Sequence, residues 1–84
     1  MRHARPDDVA RLAPLLDQLR ALDGLVERTP GSFYRKSSGF LHFHIDGDDV
    51  YADVKLDGRE FERRRVTTKT EQRTLVSSVR KALK

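Results

Sequence analysis

The chain has no cysteine among its 84 residues. That excludes a disulfide framework, a thiolate metal site and a thiol nucleophile, so the fold must stand on packing alone. Long apolar runs are also missing, and none approaches membrane-spanning length. The basic opening Met1-Arg2-His3-Ala4-Arg5 runs into Pro6-Asp7-Asp8 with no apolar stretch behind it, so neither a signal peptide nor a membrane anchor is expected. Internal repeats, low-complexity segments and domain boundaries are absent as well. These absences point to a single cytoplasmic domain over residues 1–84 without a membrane partner, residues 1–5 forming a flexible arm.

Apolar residues make up 37% and charged residues 36%, a surface-rich profile that is still patterned too regularly for disorder. The net charge of +4 conceals an asymmetry. Residues 1–54 hold seven Lys/Arg against nine Asp/Glu, whereas residues 55–84 hold ten against four. A basic region of this kind can attract phosphate or an acidic protein, or simply solubilise a small domain.

Val9, Leu12, Leu16 and Leu19 recur at helical spacing, widened by Leu15 and Leu22, and predict a helix from about Asp7 to Leu22. Pro14 removes the bond to the Ala10 carbonyl, so a kink or a break before the main segment is expected. Thr29-Pro30-Gly31-Ser32 reads as a turn between two short strands, and Ser37-Ser38-Gly39 as the next turn. Phe40 to Leu56 then alternates apolar and polar residues around Gly47-Asp48, the pattern of a β-hairpin. A last strand from about Arg59 or Glu60 to Val66 is poorly patterned, because Phe61 and Val66 lie on opposite parities: either a bulge intervenes or one of them misses the core. Thr68-Lys69-Thr70-Glu71 matches a capping box opening a final helix striped by Leu75, Val76, Val79, Ala82 and Leu83. The expected fold class is α+β: helix, four- or five-stranded antiparallel sheet, helix, with both helices on one face.

The hairpin pattern also sets a register. Pairing Ile45 with Val50, Phe43 with Ala52 and Leu41 with Val54 keeps every pair apolar, and a one-residue slip would mix the faces. The same register puts His44 beside Tyr51, His42 beside Asp53 and Phe40 beside Lys55 on the uncovered face. Phe40, His42, His44, Tyr51 and Asp53 are therefore the open-face candidates. His42 and His44, at i and i+2, can present two imidazoles to one metal ion, with Asp46 or Asp53 adding a carboxylate. Cross-strand contacts with Tyr51 and Asp53 account for the same histidines without a metal. The exposed aromatics serve equally as a stacking platform for nucleic acid or as a homodimer surface. Arg63, Arg65, Lys69 and Arg73 are the candidate phosphate contacts, near the N-terminus of the last helix; Glu60, Glu62 and Glu71 are positioned to pair with the arginines instead.

Val26-Glu27-Arg28-Thr29-Pro30-Gly31-Ser32-Phe33-Tyr34-Arg35-Lys36, followed by Phe40-Leu41-His42-Phe43-His44 and Tyr51-Ala52-Asp53-Val54, resembles a small family of uncharacterised bacterial proteins. The shared features are the helix–strands–helix order and the phenylalanine–leucine–histidine–phenylalanine–histidine strand. The layout is also similar to the YjbR-like proteins, whose frataxin-like α+β fold implies a nucleic-acid role by analogy of fold. The expectation is a small non-enzymatic binding module needing no cofactor, with nucleic acid as its first partner. The alternatives are a metal-dependent enzyme built on His42, His44 and Asp46 or Asp53, and a self-associating structural protein.

Overall fold

A computed structural model describes residues Met1–Lys84. In chain order the elements are β1 (Arg2–His3), α1 (Pro6–Arg11), α2 (Ala13–Arg20), β2 (Val26–Thr29), β3 (Ser32–Arg35), β4 (Ser38–Asp46), β5 (Asp49–Val54), β6 (Glu62–Arg65) and α3 (Lys69–Ala82). Strands β2 to β6 form an antiparallel meander in sequence order, and β1 adds to β4 as a sixth strand. The sheet is thus one strand larger than expected. No helix is long and apolar enough to cross a membrane.

The expected break in the first helix is at Leu12, where the backbone leaves helical geometry (φ −91°, ψ 7°). Pro14 then sits in the first turn of α2, where a missing N–H leaves no bond unmade. Leu15, Leu16 and Leu19 of α2 and Leu75, Val76 and Val79 of α3 are buried in one cluster with Phe33, Leu41, Phe43, Ala52, Val54 and Val66 from the sheet side. The two longer helices therefore cover one face of the sheet, as their apolar stripes require. At the start of α3 the capping box is formed, with Glu71 N donating to Thr68 Oγ1 at 3.1 Å and Thr68 N to Glu71 Oε1 at 3.0 Å.

Local turn chemistry explains the hairpins. Gly31 has φ +81°, the left-handed value that the third position of a Pro-Gly type II turn demands. The β3–β4 turn uses Lys36 and Ser37, both at positive φ (51° and 68°), with Arg35 paired to Ser38. This turn is one residue earlier than expected. The β4–β5 register is the expected one, from Leu41↔Val54 through Ile45↔Val50 to Asp46↔Asp49.

Two expectations need correction, and a third, the parity conflict in the last strand, is decided between its two alternatives. Phe40 is not on the open face: β3 pairs Phe33 with Leu41 and Tyr34 with Gly39, leaving Phe40 as an extra residue in β4. This bulge turns Phe40 into the core, 3% exposed, despite its parity. Phe61 lies outside the β6 ladder and is exposed, while Val66 is fully buried. The parity conflict in that strand is resolved by Phe61 joining the open face, without a bulge. Finally, Arg2 and His3, within the stretch expected as a flexible arm, pair with Ile45 and His44, and Ala4 N donates to Phe43 O at 3.2 Å.

Asp8 anchors that first segment. It is the one buried charged residue, and its carboxylate accepts from Arg2 Nη1 at 2.6 Å, Arg5 N at 2.9 Å and Arg11 Nη2 at 3.0 Å. The Arg2 hydrogen bond, followed by the Arg5 amide, holds its carboxyl well below the usual carboxylate range. A depressed folded pKa stabilises the protein above the unfolded carboxylate's pKa, about 4. That contribution is lost as pH falls through and below that value. Asp8→Asn is expected to cost about 1–3 kcal/mol at neutral pH, because the arginine partners reach water and only part of the cluster is buried. Urea denaturation at pH 7 and pH 3 checks this: the variant should lose less stability than the parent between the two.

Candidate metal centre

Alternation on β4 and β5 sends His42, His44, Tyr51 and Asp53 to the sheet face that the helices leave uncovered. The ladder places His42 opposite Asp53 and His44 opposite Tyr51, and β6 continues it with Arg63 opposite Asp53 and Arg65 opposite Tyr51. Tilting across the register brings Asp53 closer to His44 than to its direct neighbour. Its Oδ2 lies 3.0 Å from His44 Nε2 and 3.5 Å from His42 Nε2.

One ligand atom from each of His42, His44 and Asp53 falls within 4.8 Å of the others. His44 Nε2 is shielded from solvent and makes no hydrogen bond. Its 3.0 Å approach to Asp53 is short enough for one, so the direction rather than the distance is at fault. The pair forms an ion pair when His44 is protonated, and with His44 neutral the two atoms are spaced as ligands of a common ion would be. Zinc bonds to nitrogen and carboxylate oxygen imply donor–donor edges of about 3.3 Å in a tetrahedron. The two carboxylate–imidazole separations, 3.0 and 3.5 Å, bracket that edge.

Arg63 sets the orientation of Asp53. Its Nε donates to Oδ1 at 2.8 Å and its Nη2 to Oδ2 at 2.9 Å, a two-point fork that fixes the carboxylate plane. An ionised carboxylate has about four lone-pair sites, so the fork leaves Oδ2 with capacity on the histidine side. The Arg63 hydrogen bond pushes the Asp53 pKa down. Burial pushes that of His42 down, and the Asp53 charge opposes this only in part. Both shifts favour the forms that bind metal at neutral pH, carboxylate and neutral imidazole.

The remaining walls are aromatic. Phe61 meets the His42 ring edge-on at 5.2 Å between centroids, and His3 lies 4.6 Å from His44. Neither the position nor the company of His3 is visible in the sequence: a histidine in a two-residue strand carries no periodic signal. Only its pairing with His44 brings it here.

Several candidate residues lie elsewhere. Asp46, at the hairpin end, is exposed and outside the ligand group, so Asp53 supplies its carboxylate. Arg65 is engaged by Glu71 at 2.8 Å and Asp49 at 2.9 Å. Arg73 reaches Thr70 Oγ1 at 3.4 Å in the first turns of α3, which also begin at Lys69. Of the four candidate phosphate contacts, Arg63 and Arg65 thus face carboxylates. Arg64, of opposite parity, reaches Glu62 and Ser78.

No family model, curated protein or solved structure matches the chain. The resemblance carried by residues 26–54 therefore assigns no family, and the functional reading rests on the geometry of the site.

Proposed function

We propose that this protein is a small metal-binding module that holds a divalent transition ion on the open face of its sheet through His42, His44 and Asp53. The observation that carries the reading is the buried, unbonded Nε2 of His44 beside the Asp53 carboxylate, with His42 completing the group. Two imidazoles and a carboxylate suit zinc, and also iron or nickel, far better than magnesium or calcium. A three-ligand site on a partly open face leaves a coordination position for a further donor, the arrangement that metal-assisted chemistry needs. A nucleic-acid role is supported less well, because Arg63 and Arg65 are held by Asp53, Asp49 and Glu71.

The direct test is calorimetric titration of untagged, chelator-treated protein with Zn²⁺, Ni²⁺ and Mg²⁺. One saturable site per chain for zinc or nickel, with no response to magnesium, is the expected result. Absence of saturable binding by the transition ions would remove the proposal.

A further inference from the structure

We infer that the cavity between the β3–β4 turn and the start of the β5–β6 loop is a binding site for a small phosphate monoester, independent of the metal centre. The cavity has a volume of about 310 Å³ and is lined by Arg35, Lys36, Ser38 and Lys55, with Phe40 among its walls. That volume is at the small end of ligand sites and accommodates a compact metabolite, not a continuous polynucleotide strand.

Charge decides the ligand. Three cationic side chains line one cavity, and none of them takes part in an ion pair. Arg2, Arg11, Arg20, Arg63, Arg64 and Arg65 each have a carboxylate partner; among the cations without one, these three stand out by lining a common cavity. Arg35 Nη1 donates to the Ala82 carbonyl at 2.9 Å, a contact that ties the arginine to the end of α3 while its remaining N–H donors stay available. Lys55 Nζ donates to Ser38 Oγ at 3.0 Å, which brings a hydroxyl-and-ammonium pair to the same cavity. Asp57, beside the lining Gly58, turns toward its own loop, where Oδ1 accepts from Arg59 N at 2.8 Å and Glu60 N at 3.0 Å, and it does not line the cavity. A site with three cations and no lining carboxylate suits a dianion better than a monoanionic carboxylate or a phosphodiester.

The turn that carries Lys36 supports the reading. Both of its central residues adopt positive φ, a conformation that Asn-Gly meets with little strain and Lys-Ser does not. Such a departure from the easiest turn sequence coincides with the placing of a cation at the mouth of the cavity. Phe61 touches both regions, with Lys55 Nζ 4.9 Å from its ring centroid and the His42 ring 5.2 Å away, but no side chain lines both the cavity and the group of His42, His44 and Asp53.

The test is a ¹H–¹⁵N correlation titration with inorganic phosphate and then glycerol phosphate, at constant ionic strength held with sodium chloride. The expected result is saturable shifts confined to residues 35–40 and 55–58. Lys36→Gln, at an exposed turn position, should weaken the affinity about tenfold, the loss of one charge-assisted bond. Lys36→Gln combined with Lys55→Gln should abolish saturation with the remainder of the spectrum unchanged. His44→Ala should leave the phosphate response intact, which separates this site from the metal centre. Shifts that fail to saturate, or that spread equally to Arg80 and Lys81 of α3, would overturn the inference. So would tighter binding of a single-stranded oligonucleotide at the same residues.

Discussion

His44→Ala is expected to lower the affinity for zinc by at least about 100-fold, beyond the 10–100-fold typical of losing a mere supporting partner. His44 supplies the buried donor, so its loss leaves only half-exposed His42 and arginine-bound Asp53. The same experiment has a second readout in stability. Zinc at about 100 times its dissociation constant should stabilise the parent by about 2.7 kcal/mol through mass action. In a domain of this size that corresponds to a rise of roughly 10–20 °C in Tm. The His44→Ala variant should show almost none of this rise at the same zinc concentration. Circular dichroism melts with and without zinc read both quantities. An equal zinc-induced rise in parent and variant would place the ion elsewhere.

Phe40→Ala should destabilise the protein by about 3–5 kcal/mol, the usual cost of removing a buried aromatic ring. Against the total stability expected for a small domain, about 5–15 kcal/mol, that is a large fraction. Phe61→Ala should cost about 0.5 kcal/mol or less, because its ring is 44% exposed. Parity along the hairpin reverses the expectation for Phe40, placing it on the open face where truncation would be cheap. Urea denaturation of the two variants therefore measures the bulge itself. A small effect at Phe40 would mean that β4 runs straight through Gly39 to Leu41 and that Phe40 points away from the helices.

Much of the fold was legible because its signals are local. The apolar stripes of the helices, the proline that interrupts the first of them, and the Thr68–Glu71 capping box each depend on residues within a turn or two. The hairpin register was equally accessible, since a slip of one residue would have buried His42 and His44 and exposed Leu41 and Phe43. Within the candidate site, the alternation by itself puts His42, His44, Tyr51 and Asp53 on one face. It could not rank Asp53 above Asp46, because that choice depends on diagonal reach across the twisted pair.

Other features involve residues far apart in sequence. The bulge at Phe40 arises from the mismatch between β3 and β4, and its inward turn adds the ring to a core shared with helices whose positions no local pattern states. Asp8 stands in the first turn of α1, where a negative charge is favourable, and becomes the hub of an arginine cluster once β1 docks. Arg63 was a candidate for phosphate until the β5–β6 ladder set it against Asp53.

By itself the sequence determined an α+β domain and the face on which His42 and His44 lie, because hydrophobic burial enforces the period of each element. The tertiary structure alone decided that His44 is buried without a hydrogen bond, that His3 stands beside it, and that three unpaired cations share a cavity. Those features depend on convergence of separate strands and loops, and angstrom-scale distances between such side chains are not encoded in any periodicity.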